Sequence, residues 1–225
     1  MRFQDAARDG RAIVHAGIQA DPLVRRVATQ LADASASQRV MARAVMNGET
    51  TDPAAWRATF PTLFGSSVAA GPERARSEDL LAASLAVADR GEQVRSQFRG
   101  AIVEEATAIL LARRAGDAAI RRERRILFDG VRAEIHPYDV TVEREGGAEA
   151  YDCKWGARGI NDDVLHQLDD ARSHAADEDE RLHVALVVFD AERSCDVRLD
   201  RMNAPRAGTT IIPLESLDRL AEGGP

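Results

Sequence analysis

The sequence predicts an α/β protein, a mixed sheet flanked by helices, with an α-helical region ahead of it. Three observations carry this expectation. From Arg11 to about Met46, and again from Ser77 to Arg114, apolar residues recur at helical spacing. After Gly116 the apolar period shortens to that of a strand, in which alternate side chains share a face. Residues 182–189 then form a continuous apolar run of the kind buried on both faces of a sheet. The expected organisation is a helical region over 1–95 and a sheet-bearing domain over 96–225.

Each element has its own warrant. Ile13, Val14 and Ile18, then Val24, Val27 and Leu31, then Val40, Ala44 and Val45 mark successive helices. Asp21-Pro22 suits a helix start, because proline has no N–H to lose in a first turn. Asn47-Gly48 is a stop signal. Residues 51–72, with Pro53, Pro61, Gly65 and Gly71, read as a loop whose aromatics Trp56, Phe60 and Phe64 plug the base of the helical layer. Ser77 is placed to cap a helix continued by Leu80, Leu81, Leu85 and Val87, with Glu78 and Asp79 favourable to its dipole. Gly91 and Gly100 predict a break between Arg90 and Gly100, followed by a helix over 100–114 with Ile102, Val103, Ala106, Ile109 and Leu110 on its apolar side.

Residues 125–128 read as a strand ended by Asp129-Gly130. Residues 138–143 and 150–155 alternate cleanly and are joined by a Gly146-Gly147 turn signal. Asn161 caps a helix through Val164, Leu165, Leu168 and Ala171. Residues 209–212 make a last short strand, and 214–220 a final helical turn or two.

Composition excludes several classes. With 225 residues, 44% hydrophobic and 30% charged, the chain can bury a core and is not a disordered tail. No apolar run approaches the roughly 20 residues of a membrane span. Met1-Arg2-Phe3-Gln4-Asp5 lacks a secretory pattern, and Cys153 and Cys195 form neither a disulfide framework nor a zinc knuckle, so a cytoplasmic protein is expected. A net charge of -7 disfavours a non-specific nucleic-acid coat protein, but not a catalytic site with a local basic patch. Arginines crowd the middle of the chain, at Arg113, Arg114, Arg121, Arg122, Arg124, Arg125 and Arg132. Carboxylates crowd 162–180. Each run reads equally as a solvated face or a functional patch.

The chemistry is concentrated on the hairpin. A turn on Gly146-Gly147 sets Thr141 opposite Asp152 and Asp139 opposite Lys154. Opposed residues share a face, so Asp139, Asp152 and Lys154 project together, while Val140, Val142, Tyr151, Cys153 and Trp155 point the other way. Two carboxylates ~4 Å apart repel by about 4 kcal/mol at an effective dielectric of ~20, and a divalent cation between them reverses the sign. Magnesium suits such a site, since it takes one or two carboxylates and completes its shell with water and phosphate oxygens. The main-chain carbonyl of Cys153 would be a further ligand. Lys154 would position or deprotonate the attacking water, or offset charge building on the phosphorane. This is the equipment for metal-assisted phosphodiester hydrolysis. The plain alternative is an Asp139–Lys154 ion pair on a solvated face; the aspartate at the head of the paired strand favours the site.

Three motifs carry a family resemblance: Gly100-Ala101-Ile102-Val103-Glu104, Pro137-Tyr138-Asp139-Val140 and Asp152-Cys153-Lys154-Trp155. A helix-borne Glu, then Asp, then Asp/Glu-x-Lys on antiparallel strands resembles the PD-(D/E)XK nuclease superfamily over about residues 96–215. The resemblance implies a restriction-endonuclease-like fold and a catalytic set of Glu104, Asp139, Asp152 and Lys154. It also implies metal held by Asp139, Asp152, Glu104 and the Cys153 carbonyl. In RecB-like members a Gln follows on the next helix, where Gln167 falls here. Asp152 stands where Glu is commoner in the family. Glu104 is preferred to Glu105 because it follows an apolar residue as the family's Glu does.

Other candidates rank lower. His136 could reach the metal edge but reads as a hydrogen-bonded loop histidine. His15, His166, His174 and His183 lack metal-ligand spacing, and no glycine-rich phosphate loop is present. Alternate arginines among Arg121, Arg122, Arg124 and Arg125 could track a phosphate backbone. The function expected is a Mg2+- or Mn2+-dependent nuclease acting on nucleic acid, DNA or RNA, in defence or repair. It would act alone, as a homodimer, or with a partner protein supplying specificity. The rival is a catalytically inactive nuclease-fold scaffold, or binding module, acting through its N-terminal helices. A third reading is a helical regulatory protein whose carboxylates merely pair with lysine.

Overall fold

The first residues already depart from the expected division. Arg2–Asp5 forms a strand, β1, and its pairing register with residues 124–127 ties the N-terminus to the sheet. The computed structural model describes residues 1–6, 10–129, 131–132, 136–202, 208 and 210–223. It folds into two units, Ile13–Ala106, and Met1–Ala12 with Thr107–Pro225. The boundary therefore falls inside a helix rather than at 95/96. Sequence periodicity cannot show that a four-residue segment such as β1 has a distant strand to pair with.

The helical unit is built from α1 (Gly10–Gln19), α2 (Pro22–Ala32), α3 (Ala36–Asn47), α4 (Pro53–Thr59), α5 (Pro61–Phe64), α6 (Pro72–Ala88) and the first part of α7 (Glu92–Ala112). Asp21 caps α2, its Oδ1 accepting from Leu23 N at 2.8 Å. Ser35 and Gln38 form a reciprocal capping box on α3, and Gly48 ends that helix as expected. Val24, Val27, Leu31, Met41, Val45, Leu80 and Leu81 are buried where α2 and α3 meet α6.

Three expectations in this unit are corrected. Residues 51–72 are not a plain loop: α4 and α5 each begin on a proline, and Asp52 caps α4. Of the aromatics there, Phe64 is buried, whereas Trp56 stacks on Phe60 at a 6.4 Å ring separation and stays partly exposed. Ser77 is no cap. It lies inside α6, donates to Glu73 O at 3.1 Å and accepts from Gln38 Nε2 at 2.9 Å. Finally, the expected break falls at its N-terminal end, at 89–91 between α6 and α7, and α7 passes through Gly100 without a second one. A helical glycine costs ~1 kcal/mol, and burial of Phe98, Ala101, Ile102 and Val103 outweighs it.

The sheet unit continues with β2 (Ala119–Phe128), β3 (Val131–Arg132), β4 (Tyr138–Arg144), β5 (Gly147–Lys154), α8 (Asp162–Asp177), β6 (Leu182–Val188), α9 (Glu192–Met202), β7 (Thr210–Pro213) and α10 (Arg219–Glu222). The seven-stranded sheet runs β1-β2-β4-β5-β6-β7, with β3 beside β2. Neighbours from β1 to β5 are antiparallel, while β5–β6 and β6–β7 are parallel. The chain is thus α/β, a mixed sheet flanked by helices. Ile126, Phe128, Leu168, Ala171, Leu186, Val188, Cys195 and Leu199 share its core. Among the described residues no helix is long and apolar enough to cross a membrane.

Here too the structure corrects details. β2 starts at Ala119, so Arg121, Arg122 and Arg124 lie within the strand, and Arg124 is paired with Asp5 and Glu143 rather than presented to a ligand. α9 was not anticipated, because in its polar sequence only Cys195 and Leu199 are buried. The hairpin turns on Glu145-Gly146: Arg144 pairs with Gly147 and Thr141 with Ala150. Gly146 adopts φ 78°, the left-handed conformation glycine tolerates, and this moves the turn one residue earlier. Each strand residue therefore meets a partner two positions from the expected one, which leaves its face unchanged. Gly130 and Thr209 of the expected elements lie outside the described residues.

Candidate active site

The site sits where β4 leaves β5. Their last recorded pair is Val140 with Tyr151. One step further, the Asp139 side chain rather than its backbone reaches across, and Oδ2 accepts from the Cys153 N–H at 2.6 Å. Because β5 lies between β4 and β6, Asp152 is 6% exposed. Its Oδ1 accepts from Lys154 Nζ at 2.6 Å. The three side chains expected to act together thus converge on one end of β5. Lys154 takes Asp152, not Asp139, as its direct partner, a consequence of the shifted register. The Cys153 sulfur points elsewhere, toward Thr107 Oγ1 at 3.6 Å, so only its main chain belongs to the site.

Electrostatics keep the lysine charged. Burial alone would lower the Lys154 pKa, but the carboxylates of Asp152 and Asp139 outweigh it and hold the ammonium above its ordinary value. Behind it, the turn Ala157–Gly159 packs closely. A Cβ on Gly159 would lie 2.9 Å from Lys154 Cβ, Cγ and Cδ, too near for either to stay in place. Glycine at 159 therefore fixes the path of the lysine stem.

Gln167, on α8, is buried and grips the segment that leads into β4. Its Oε1 accepts from His136 N at 3.1 Å, and its Nε2 donates to His136 O at 3.0 Å. Tyr138 adds a bond from its hydroxyl to Gln167 O at 3.3 Å. Gln167 is thus a positioning residue for Asp139, three residues beyond His136. Gln167→Ala is expected to cost about 1–3 kcal/mol of stability through the two abandoned backbone groups, and Gln167→Glu, which keeps the acceptor, less; thermal melting checks this.

Glu104 falls in the helical unit, on α7. It is buried and engaged there: Oε2 lies 3.0 Å from His15 Nε2 and accepts from Gln19 Nε2 at 2.7 Å. His15 has no ligand spacing in the sequence, since no local pattern shows a partner 89 positions away. The described geometry of the sheet-unit site consists of Asp139, Asp152 and Lys154, with Gln167 supporting.

The donor set fits a hard divalent cation. Two carboxylates against one ammonium leave a net negative charge in a partly buried place, and every available side-chain ligand is oxygen, the preference of Mg2+ and Mn2+. Among the described residues the single bond to the Asp152 carboxylate runs through Oδ1, which leaves Oδ2 to a cation.

No protein-family model and no curated protein matches the chain. Among solved structures it is similar to that of protein VC1899 from Vibrio cholerae, at 16% identity and a TM-score of 0.47, over 98% of this chain and 57% of that one. The chain thus spans little more than half the length of that neighbour.

Proposed function

We propose that the sheet unit is a Mg2+- or Mn2+-dependent phosphodiesterase of restriction-endonuclease-like fold, and that its substrate is nucleic acid. The observation that carries this reading is the Asp139 carboxylate seated on the amide of Cys153, the residue that stands between Asp152 and its lysine partner on β5. An ordinary surface ion pair would not need a second carboxylate brought from a neighbouring strand. Asp139 and Asp152 would hold the metal, which when bound supplies Lewis-acid activation of phosphate and water.

The remaining work falls to the chain. The Lys154 ammonium donates a hydrogen bond to the attacking water or to a non-bridging phosphate oxygen, and opposes the negative charge that builds there. Its raised pKa favours this cationic role over that of a base in the metal-free site. Asp152, on the same strand, fixes the direction of that ammonium. Gln167 and Tyr138 keep the approach to Asp139 rigid.

The test is cleavage of labelled single- and double-stranded DNA and RNA with Mg2+, with Mn2+, and with EDTA. Cleavage is expected in at least one metal arm and none with EDTA. A protein that binds Mn2+ yet cleaves none of these substrates would favour the scaffold reading instead.

A further inference from the structure

Beyond Lys154 lies a second feature that the hydrolytic site does not use. An open basin of about 780 Å3 is bounded on one side by the turn Ala157–Gly159 and on the other by α9. Cys195 and Leu199, one helical turn apart, root α9 in the core. Its basin-facing side carries Arg193, Ser194, Val197, Arg198 and Arg201, and Arg158 faces them from the turn. Arginine is thus concentrated here in a chain whose net charge is -7.

Among the residues that line the basin four arginines stand against one carboxylate, while Glu192, Asp196 and Asp200 of the same helix lie outside that lining. Asp190 is the carboxylate among the lining residues, and it is buried and occupied: Oδ2 accepts from Ala157 N at 3.0 Å and Oδ1 from Ala191 N at 2.8 Å. It braces the two walls. Arg198 is held by a bond from Nε to Ile160 O at 2.8 Å, which leaves its terminal nitrogens to the basin. Among the described residues, Arg158, Arg193 and Arg201 form no ion pair, whereas Arg57, Arg95, Arg114 and Arg124 elsewhere all do.

The geometry points to this basin as a docking surface for the phosphodiester backbone of a nucleic-acid strand. At a rise of ~1.5 Å per residue, Arg193 and Arg201 stand about 12 Å apart along α9 with Arg198 between them. A lone phosphate cannot reach all of them. A duplex strand carries a phosphate every ~3.4 Å of its axis, so a nucleic-acid strand presents more than one phosphate over that length. Guanidinium forks suit such oxygens, since each can bond one bidentately. The basin also adjoins the proposed hydrolytic site: Gly159, next to Arg158 of the lining, packs on the Lys154 stem, and Phe189, next to Asp190 of the lining, donates its N–H to Lys154 O at 2.8 Å. The choice of a nucleic-acid strand as occupant rests on the phosphodiesterase reading.

The test separates the two claims. Binding of fluorescent single-stranded DNA, single-stranded RNA and duplex DNA to the full chain is measured in EDTA over a salt series. The variants are the triple Arg193→Gln/Arg198→Gln/Arg201→Gln and, separately, Arg57→Gln on α4, a guanidinium removed away from the basin. The triple variant is expected to bind at least about tenfold more weakly, with the single-strand salt slope reduced by about 2, while Arg57→Gln binds as wild type. The preferred strand among the three arms identifies the source of the phosphates. Unchanged affinity and slope in the triple variant would overturn the docking surface, even if the wild type cleaves. So would wild-type binding of phosphatidylserine vesicles, lost in the triple variant, without binding of any oligonucleotide. Strand binding lost in the triple variant, with no cleavage under any metal, would uphold the surface and reject the hydrolytic reading.

Discussion

Lys154→Met is expected to cut metal-dependent hydrolysis by about two to four orders of magnitude, the range removed with a group that handles a proton or developing charge in the transition state. Methionine keeps most of the aliphatic stem that lies against Gly159, so packing is largely spared and the lost element is the ammonium. Lys154→Arg should rescue little. Its wider guanidinium must fit where the lysine nitrogen now sits 2.6 Å from Asp152 Oδ1. The pair also has a pH signature. Because the folded pKa of Lys154 is raised above 10.5, the pair's stabilisation is fully present below pH 10.5 and is lost as pH rises through the raised value. The gap between the melting temperatures of wild type and Lys154→Met should therefore narrow as pH rises above 10.5. A constant gap would mean that the lysine acts through packing alone.

Asp152→Asn is expected to abolish hydrolysis and also to destabilise the fold, whereas Asp139→Asn should abolish hydrolysis with a smaller loss of stability. The difference follows from burial. Asp152 neutralises an ammonium whose side chain is 28% exposed while its own is 8% exposed. Removing it strands the lysine, at a cost of about 1–3 kcal/mol, below the ~3–5 of a fully buried pair. Asp139 accepts from a backbone N–H, and an asparagine amide oxygen can take over that bond. The double variant Asp152→Asn/Lys154→Met should recover much of the melting temperature and none of the activity. Should the single Asp152→Asn variant melt like the wild type, the pair would not hold the site in the manner described.

Much of the site was legible because strand parity survives an error in register. The alternation in 138–144 and 147–154 assigned Asp139, Asp152 and Lys154 to one face, and a shift of partners by two positions does not change a face. What could not be read is the direct partner of Lys154, which depends on where the turn falls, and hence on Gly146 taking a left-handed conformation. The grip of Gln167 on His136 was also out of reach: the residue was picked out by resemblance, but its role depends on how α8 packs. β1 becomes a strand only through pairing with β2. α9 was hidden because two buried residues in a polar segment are a weak periodic signal. Its arginines at 198 and 201 are a readable signal, since residues three apart share a side of a helix.

Whether two aspartates from neighbouring strands share a divalent cation can be read without substrate, by Mn2+ titration followed by the loss of its free-ion electron paramagnetic resonance signal. A saturable site is expected in the wild type, weakened by more than about a hundredfold in either Asp139→Asn or Asp152→Asn, since even residues that only orient a ligand can cost that much. Wild-type Mn2+ affinity in both variants would contradict it.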